Sequence, residues 1–219
     1  VLGSRGLGDV YKRQFFKVIK KGIGEGSIRT CFCTGVLPVT MDDLTSGYNI
    51  AEILTLESDF INMLGFTHAE ADAYLRYVLD KYTGSQERYD EIWQLIVNNY
   101  DGYRFSPGNV AHVFNPFGLL CVLIFHDFDY YWFATGTLTF LAEMLKKTDF
   151  NLRELDGIEV SAASLSADRA NINNPVPMIY QSGYLTIKAY DERFQIYTLG
   201  FPNDEVKYGF LNFVTPFYA

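Results

Sequence analysis

Cysteine and histidine are scarce in this sequence, and their scarcity limits the chemistry available to the chain. There are three residues of each type, namely Cys31, Cys33, Cys121, His68, His112 and His126. No histidine has metal-ligand spacing with a cysteine or carboxylate, so we expect no zinc site. The same scatter gives little support to a Cys-His nucleophilic pair. We predict that Cys31 and Cys33 point to opposite faces of a strand and do not bridge, as suits a reducing cytoplasm.

Basic residues are also few for a protein that would bind nucleic acid directly. The sequence has 18 lysines and arginines against 26 aspartates and glutamates, a formal net charge of −8. This charge repels a phosphate backbone unless the basic residues gather on one face, and beyond Lys17, Lys20 and Lys21 no such group stands out.

Long apolar runs are missing as well. The longest, Phe114 to Phe128, is interrupted by Asn115, Pro116, His126 and Asp127 and is shorter than the roughly 20 residues that span a bilayer. We therefore expect no membrane segment, no secretory signal and a cytoplasmic location.

Apolar and aromatic residues, in contrast, are abundant. They make up 48% and 16% of the 219 residues. A chain of this size and composition can bury roughly 70% of its unfolded surface in one large core or two small ones. The composition predicts an ordered globular protein and excludes intrinsic disorder.

The two ends of the sequence indicate a fragment. The chain opens on Val1, and residues 1–14 show no apolar period and resemble translated adapter sequence. Their glycines do not form a phosphate-binding loop, because Asp9 and Val10 follow Gly8 where lysine and serine or threonine are required. At the other end, the chain closes within what the pattern predicts as an unfinished helix.

Helices are predicted by caps and apolar spacing. Thr67 and Glu70 form a capping-box pattern before a helix that begins at His68. Apolar residues recur at helical spacing from Tyr89 to Tyr100, and Asp101-Gly102 ends that helix. Asn115-Pro116 predicts another helix start, with helices over about 116–127 and 137–147.

Strands are predicted in three places. Residues Ile28 to Thr34 form a buried strand that ends at a Thr-Gly corner, and a small hairpin joins 103–105 to 110–114. The signal over 152–174 is weak. The last part predicts a short helix over Pro175–Gln181, strands over 184–190 and 194–200, and a final helix capped by Asn203, the outline of a winged-helix-like module.

Six segments, read in order, carry a family resemblance. They are Phe32–Ile50, which begins Phe-Cys-Thr-Gly-Val-Leu-Pro-Val, then Met63-Leu-Gly-Phe66, Tyr100-Asp-Gly-Tyr-Arg-Phe105, Phe114-Asn-Pro116, Gln181-Ser-Gly-Tyr-Leu-Thr186 and Pro202-Asn-Asp-Glu-Val206. Together they resemble the AAA-ATPase-like family of bacterial P-loop proteins, which is often joined to a C-terminal PD-(D/E)XK nuclease domain.

The resemblance implies an α+β, predominantly helical fold with four parts. After the segment 1–14 come the last part of an ATPase-like α/β core (15–66), a helical lid region with a small hairpin (67–150) and the winged-helix-like module (151–219). ATP and Mg²⁺ are implied for the intact protein, with its phosphate loop upstream, its nuclease downstream and nucleic acid as a possible partner. None of these cofactors is expected for this fragment, which lacks catalytic and metal-binding residues. The alternative is a non-catalytic protein-interaction module with a degenerate core.

Candidate residues each have a structural alternative. By analogy of position, Thr34 is the nucleotide-binding candidate, a sensor hydroxyl for the γ-phosphate or the attacking water, or else it is a turn threonine bonded to local backbone. Asp42 and Asp43 stand near Mg²⁺ or a neighbouring chain, or else they begin a helix. Tyr100–Tyr103 is a functional loop or a helix end in which Gly102 has positive φ.

Overall fold

The computed structural model describes residues 5–34, 52, 54, 56–82, 88–108, 111–135, 145, 150–165 and 174–217. These residues form an α+β fold of helices and a three-stranded antiparallel sheet. The helices are α1 (Arg5–Gly24), α2 (His68–Tyr82), α3 (Tyr89–Tyr100), α4 (Pro116–Phe125), α5 (Tyr131–Thr135), α6 (Ala162–Leu165), α7 (Val176–Gln181) and α8 (Asp204–Val214). The strands are β1 (Ile158–Ser161), β2 (Thr186–Asp191) and β3 (Ile196–Gly200), and short 3₁₀ turns cover Ser58–Phe60, Leu152–Glu154 and Thr215–Phe217.

The first hydrophobic core, the helical core, lies between α2, α3 and α4. It contains Ala71, Leu75, Leu79, Ile96, Tyr100, Phe114, Leu119, Val122 and Leu123. The predicted starts of α2 and α4 are confirmed by their caps. The Glu70 amide donates to Thr67 Oγ1 at 3.3 Å and the Thr67 amide to Glu70 Oε2 at 2.9 Å, while Asn115 Oδ1 accepts from the Phe117 and Gly118 amides.

The second core, the C-terminal core, lies between the sheet and helices α7 and α8. Its largest fully buried members include Ile179, Leu185, Ile187, Leu199 and Phe210. The strand order is β1-β3-β2, with Ile158 opposite Leu199 and Thr186 opposite Gly200. The predicted order of helix, two strands and helix is confirmed, and β1 adds a strand from the region of weak signal.

The N-terminal region differs from its predictions. Helix α1 begins at Arg5, so the interpretation that residues 1–14 have no apolar period is wrong, because Leu7, Tyr11, Phe15 and Val18 recur at three- and four-residue spacing. The prediction of a buried strand over Ile28–Thr34 is also wrong. All of these residues lie in irregular backbone, and none of them is fully buried.

Two further predictions are changed in part. The hairpin over 103–114 is reduced to one antiparallel bridge between Tyr103 and Val113. Between the helices predicted over 116–127 and 137–147, the structure adds the short helix α5 over Tyr131–Thr135. The helix predicted over 137–147 lies outside the described residues except for Leu145, which is buried.

Candidate functional site

The segment Tyr100–Phe105, here called the junction segment, connects the two cores. Tyr100 is fully buried in the helical core, and Tyr103, three residues later, is buried in the C-terminal core. Gly102 between them has φ of 99°, and a Cβ at this position would collide with the carbonyl oxygen of Pro202. Glycine is required here by both its backbone conformation and the close approach of the next segment. The expectation of a positive φ at Gly102 is confirmed.

The C-terminal half of the junction segment is hydrogen-bonded to the turn before β2 and to the first residue of that strand. The Tyr103 hydroxyl donates to the Gly183 carbonyl at 3.2 Å. The Arg104 amide donates to Thr186 Oγ1 at 2.8 Å, and the same hydroxyl donates to the Arg104 carbonyl at 3.0 Å. The Thr186 hydroxyl therefore pairs with both backbone polar groups of Arg104, as a neighbouring strand would.

Asn203 joins the end of α3 to the beginning of α8. Its Oδ1 accepts from the Val206 amide at 3.1 Å and so caps α8, as predicted. Its Nδ2 donates to the Asp101 carbonyl at 2.8 Å. One side chain thus satisfies a free donor of one helix and a carbonyl at the end of another.

The segment before α4 completes the junction. The Asn115 amide donates to the Tyr100 carbonyl at 2.8 Å, and the Phe114 amide donates to the Phe66 carbonyl at 2.8 Å. Residues from five separate parts of the chain are therefore linked through backbone and side-chain hydrogen bonds around the junction segment.

A groove of about 400 Å³ opens beside the junction segment. Its polar lining includes Asp101, His112, Asp156, Lys188, Asn203 and Lys207. Lys207 Nζ lies 2.8 Å from Asp156 Oδ2, and Lys188 Nζ donates to the Pro202 carbonyl at 3.4 Å. A second cavity of about 460 Å³ shares His112 with the groove and is also lined by His68 and Thr67.

Asp101 is the most buried of the charged residues that line the groove. Asp101 is 5% exposed, and its Oδ2 lies 2.8 Å from His68 Nε2. Its Oδ1 is buried and has no hydrogen-bond partner among the described residues. A buried carboxylate oxygen without a donor is costly, so Asp101 Oδ1 is an unfavourably placed polar atom beside the groove.

Burial also affects the basic groups of the groove. It lowers the pKa of His112, an effect opposed by Asp101 and increased by Lys188 and Arg104. Burial likewise lowers the pKa of Lys188, although Asp156 and Asp101 oppose this. No group of three or more potential metal ligands occurs within the part of the chain that the structure describes. The groove is a mixed-charge polar site suited to hydrogen bonding.

Glu205 is a second buried carboxylate near the junction segment. It is 1% exposed, and its Oε1 accepts from the Trp132 amide, at 2.6 Å, at the start of α5. Oε2 has no hydrogen-bond partner among the described residues, and a Cβ on Gly118 would lie 3.3 Å from it. Burial raises the pKa of Glu205 to about 7, against the lowering effect of the amides.

The structure does not bring Thr34 to the groove. Thr34 is exposed in an irregular segment and lines neither cavity. Asp42 and Asp43 lie outside the described residues. The expectation that Cys31 and Cys33 point to opposite faces is wrong. Residues two apart share a face in an extended chain, and the two sulfur atoms are 3.7 Å apart.

The sequence does not reveal the contacts of the two buried carboxylates. Asp101 lies in a segment that predicts either a functional loop or a helix end, but its pairing with His68 joins residues that are 33 positions apart. Glu205 carries an ordinary signal for the first turn of a helix, which does not reveal its contact with α5. The Tyr-Asp-Gly-Tyr segment was the available signal, because it carried part of the family resemblance.

Comparison with known proteins gives one informative similarity. A protein of Azotobacter chroococcum mcd 1, described as "Uncharacterized protein in vnfD 5'region", is 29% identical over 197 residues, which are 89% of this chain and 36% of the relative. The chain thus spans about a third of the length of this curated relative. Neither a protein-family model nor a solved structure matches the chain. Among the described helices, none is long and apolar enough to cross a membrane.

Proposed function

We propose that this chain is the connecting part of a P-loop AAA-ATPase-like protein. Residues 15–66 are the last part of the ATPase core, residues 67–150 are its helical lid region, and residues 151–219 are a winged-helix-like module. In the complete protein, ATP and Mg²⁺ bind at a phosphate loop outside this chain. ATP binding or hydrolysis is coupled to a PD-(D/E)XK nuclease or another domain that acts on nucleic acid.

The observation that carries this proposal is the meeting of the motif segments. Five of the six segments on which the family resemblance depends are linked by the hydrogen bonds around the junction segment. The sixth, Phe32–Ile50, lies mostly outside the described residues. A set of motifs that meets at a connection between two cores supports a role in transmitting a conformational change.

The contacts at the junction are suited to such transmission. The end of α3 is tied to the start of α8 through the Asp101 carbonyl and the Asn203 side chain. Gly102 lies against the Pro202 backbone without space for a methyl group. Movement of the lid helix α3 would therefore displace the C-terminal module, since packed elements shift together rather than deform.

In this proposal Thr34 contacts the γ-phosphate or the attacking water. We expect Thr34→Val in the complete protein to slow ATP hydrolysis while leaving folding unchanged, because valine has a similar shape and lacks the hydroxyl. Steady-state hydrolysis and circular dichroism measure the two effects. Turnover equal to that of the unmodified protein would exclude a sensor role for Thr34.

The proposal as a whole is tested on the complete protein. Sequencing the reading frame through both ends should find a G-x-x-x-x-G-K-[ST] loop upstream and a carboxylate-lysine cluster downstream. The purified protein should then bind ATP and cleave nucleic acid in an ATP-dependent way. A complete protein without the phosphate loop would contradict the ATPase assignment.

The transmission role has its own test in Asn203→Ser. Serine retains a capping oxygen for α8 but has no amide to donate to the Asp101 carbonyl. We expect ATP hydrolysis to continue while its effect on nuclease activity is lost. Asn212→Ser, on the exposed side of α8, is the matched control and should leave both activities coupled. Normal coupling in Asn203→Ser would show that the tie does not transmit nucleotide state.

A second candidate function is a non-catalytic protein-interaction module. It is favoured by the outer side of α4, where Phe117, Leu120, Ile124 and Phe125 are exposed. Ile124 is 67% exposed and Phe125 63%, which is costly in water unless another surface covers them. If protein interaction is the principal function, the complete protein will not bind ATP. Ile124→Asp will then abolish its binding to the protein partner.

A further inference from the structure

Cys31 and Cys33 form a pair of neighbouring thiols. Their sulfur atoms are 3.7 Å apart. Cys33 is exposed and Cys31 is half-buried, and both lie in an irregular segment that belongs to no described helix or strand. The two thiols are therefore close to each other, accessible from solvent and not held apart by regular secondary structure.

We propose that Cys31 and Cys33 are a covalent modification site, a dithiol that reacts with small-molecule disulfides and closes to an intrachain Cys31–Cys33 disulfide. A disulfide requires a sulfur-sulfur distance of about 2.05 Å, so the two atoms must approach by about 1.7 Å. Side-chain rotation together with small backbone changes in an irregular segment supplies movement of this size.

The reaction is a pair of thiol-disulfide exchanges. One cysteine loses its proton, and its thiolate attacks the small disulfide, forming a mixed disulfide and releasing one small thiolate. The second cysteine, also deprotonated, attacks the protein sulfur of that mixed disulfide and releases the second small thiolate. The protein loses two protons and two electrons, and the small disulfide gains them and is reduced to two thiols.

Proximity favours the second step over accumulation of the mixed disulfide. The attacking thiol is two residues away on the same chain, so its effective concentration far exceeds that of a free thiol in dilute solution. The second exchange therefore completes the reaction before another small thiol can reverse it.

Cys121 provides an internal contrast. It is buried in α4, and burial raises the pKa of its thiol. Exchange requires both access and the thiolate, so this residue should not react while the chain is folded. The pKa of Cys33 is also raised, by burial, by its hydrogen bond to Cys31 and by the charge of that neighbour, so the exchange should accelerate at alkaline pH.

The test uses the whole chain, fully reduced and then incubated with glutathione disulfide at pH 8. Free thiols are blocked by alkylation, and peptide mass spectrometry identifies each cysteine's state. We expect an intrachain disulfide between Cys31 and Cys33 with Cys121 alkylated. Cys31→Ser and Cys33→Ser should instead accumulate the glutathione mixed disulfide, at least about tenfold more than the unmodified chain. Cys121→Ser should behave like the unmodified chain.

Two results would overturn the site. One is a stable mixed disulfide on both Cys31 and Cys33 of the unmodified chain, which would show that the thiols react separately. The other is equal alkylation of all three cysteines after incubation, which would show no selective reactivity. Circular dichroism of each variant ensures that the folded state is compared. The dithiol chemistry requires neither ATP nor a nuclease, so it stands or fails independently of the proposed function.

Discussion

Asp101 and Glu205 are both buried carboxylates near the junction segment, yet their surroundings differ. Asp101 lines the open groove and has the imidazole of His68 as its partner, with His112 and Lys188 nearby. Glu205 lies beneath the surface and has only backbone amides as donors among the described residues. Burial drives Glu205 towards protonation and its two amide donors only partly oppose this, whereas Asp101 has a polar side chain as its partner. Depth and partners, rather than residue type, separate the two roles.

The largest effect is expected at Gly102, which allows the segment that carries Asp101 to pack against the segment that carries Glu205. Gly102→Ala should destabilise the protein by about 4 kcal/mol, since alanine is strained at positive φ and collides with the Pro202 carbonyl. Urea denaturation measures the change. Gly108→Ala is the matched control, because a Cβ there meets no atom within 4 Å, and it should change stability by less than about 1 kcal/mol. Similar losses in both variants would contradict the role of Gly102.

A smaller, pH-dependent effect is expected at Glu205. Its pKa is about 7 in the folded protein against an ordinary value of 4.5, so the folded state binds the proton more tightly. This contribution to stability is fully present below pH 4.5 and is lost as the pH rises through about 7, by up to about 3 kcal/mol. Glu205→Gln, which cannot ionise, should lack this loss.

The measurement is the difference in unfolding free energy between the unmodified protein and Glu205→Gln, taken from pH 4 to pH 9. The exposed Glu154 supplies the control, since Glu154→Gln should give a nearly constant difference over this range. A constant difference for Glu205→Gln as well would mean that Glu205 ionises normally in the folded state.

The smallest of the three effects is expected at the partner of Asp101. His68→Phe retains a ring against Phe114 but removes the nitrogen that lies 2.8 Å from the carboxylate. Leaving the buried carboxylate without this partner should cost about 2 kcal/mol of stability. In an Asp101→Asn background the same substitution should cost clearly less. Equal costs in both backgrounds would show that the pair does not interact.

The sequence signals that succeeded were local. The capping box of Thr67 and Glu70, the cap at Asn115 and the cap at Asn203 each placed a helix start correctly, because capping uses atoms within three residues. The strands β2 and β3 followed from the apolar pattern on either side of a polar turn.

The signals that failed depended on distant partners. A strand over Ile28–Thr34 needs a neighbouring strand, and none pairs with it among the described residues. The pairing of Asp101 with His68 and of Glu205 with the Trp132 amide joins positions 33 and 73 residues apart. No periodicity or cap pattern contains such information, so the groove could be recognised only from the folded structure.

The position of the two tyrosines in the junction segment also determines how the protein unfolds. Tyr100 fills one core and Tyr103 the other, with two residues between them. When one core unfolds, the tyrosine in the other core loses part of its support, because so short a segment cannot remain ordered at one end alone. The helical and C-terminal parts therefore melt together in a single cooperative transition, and a protease that opens one exposes the other.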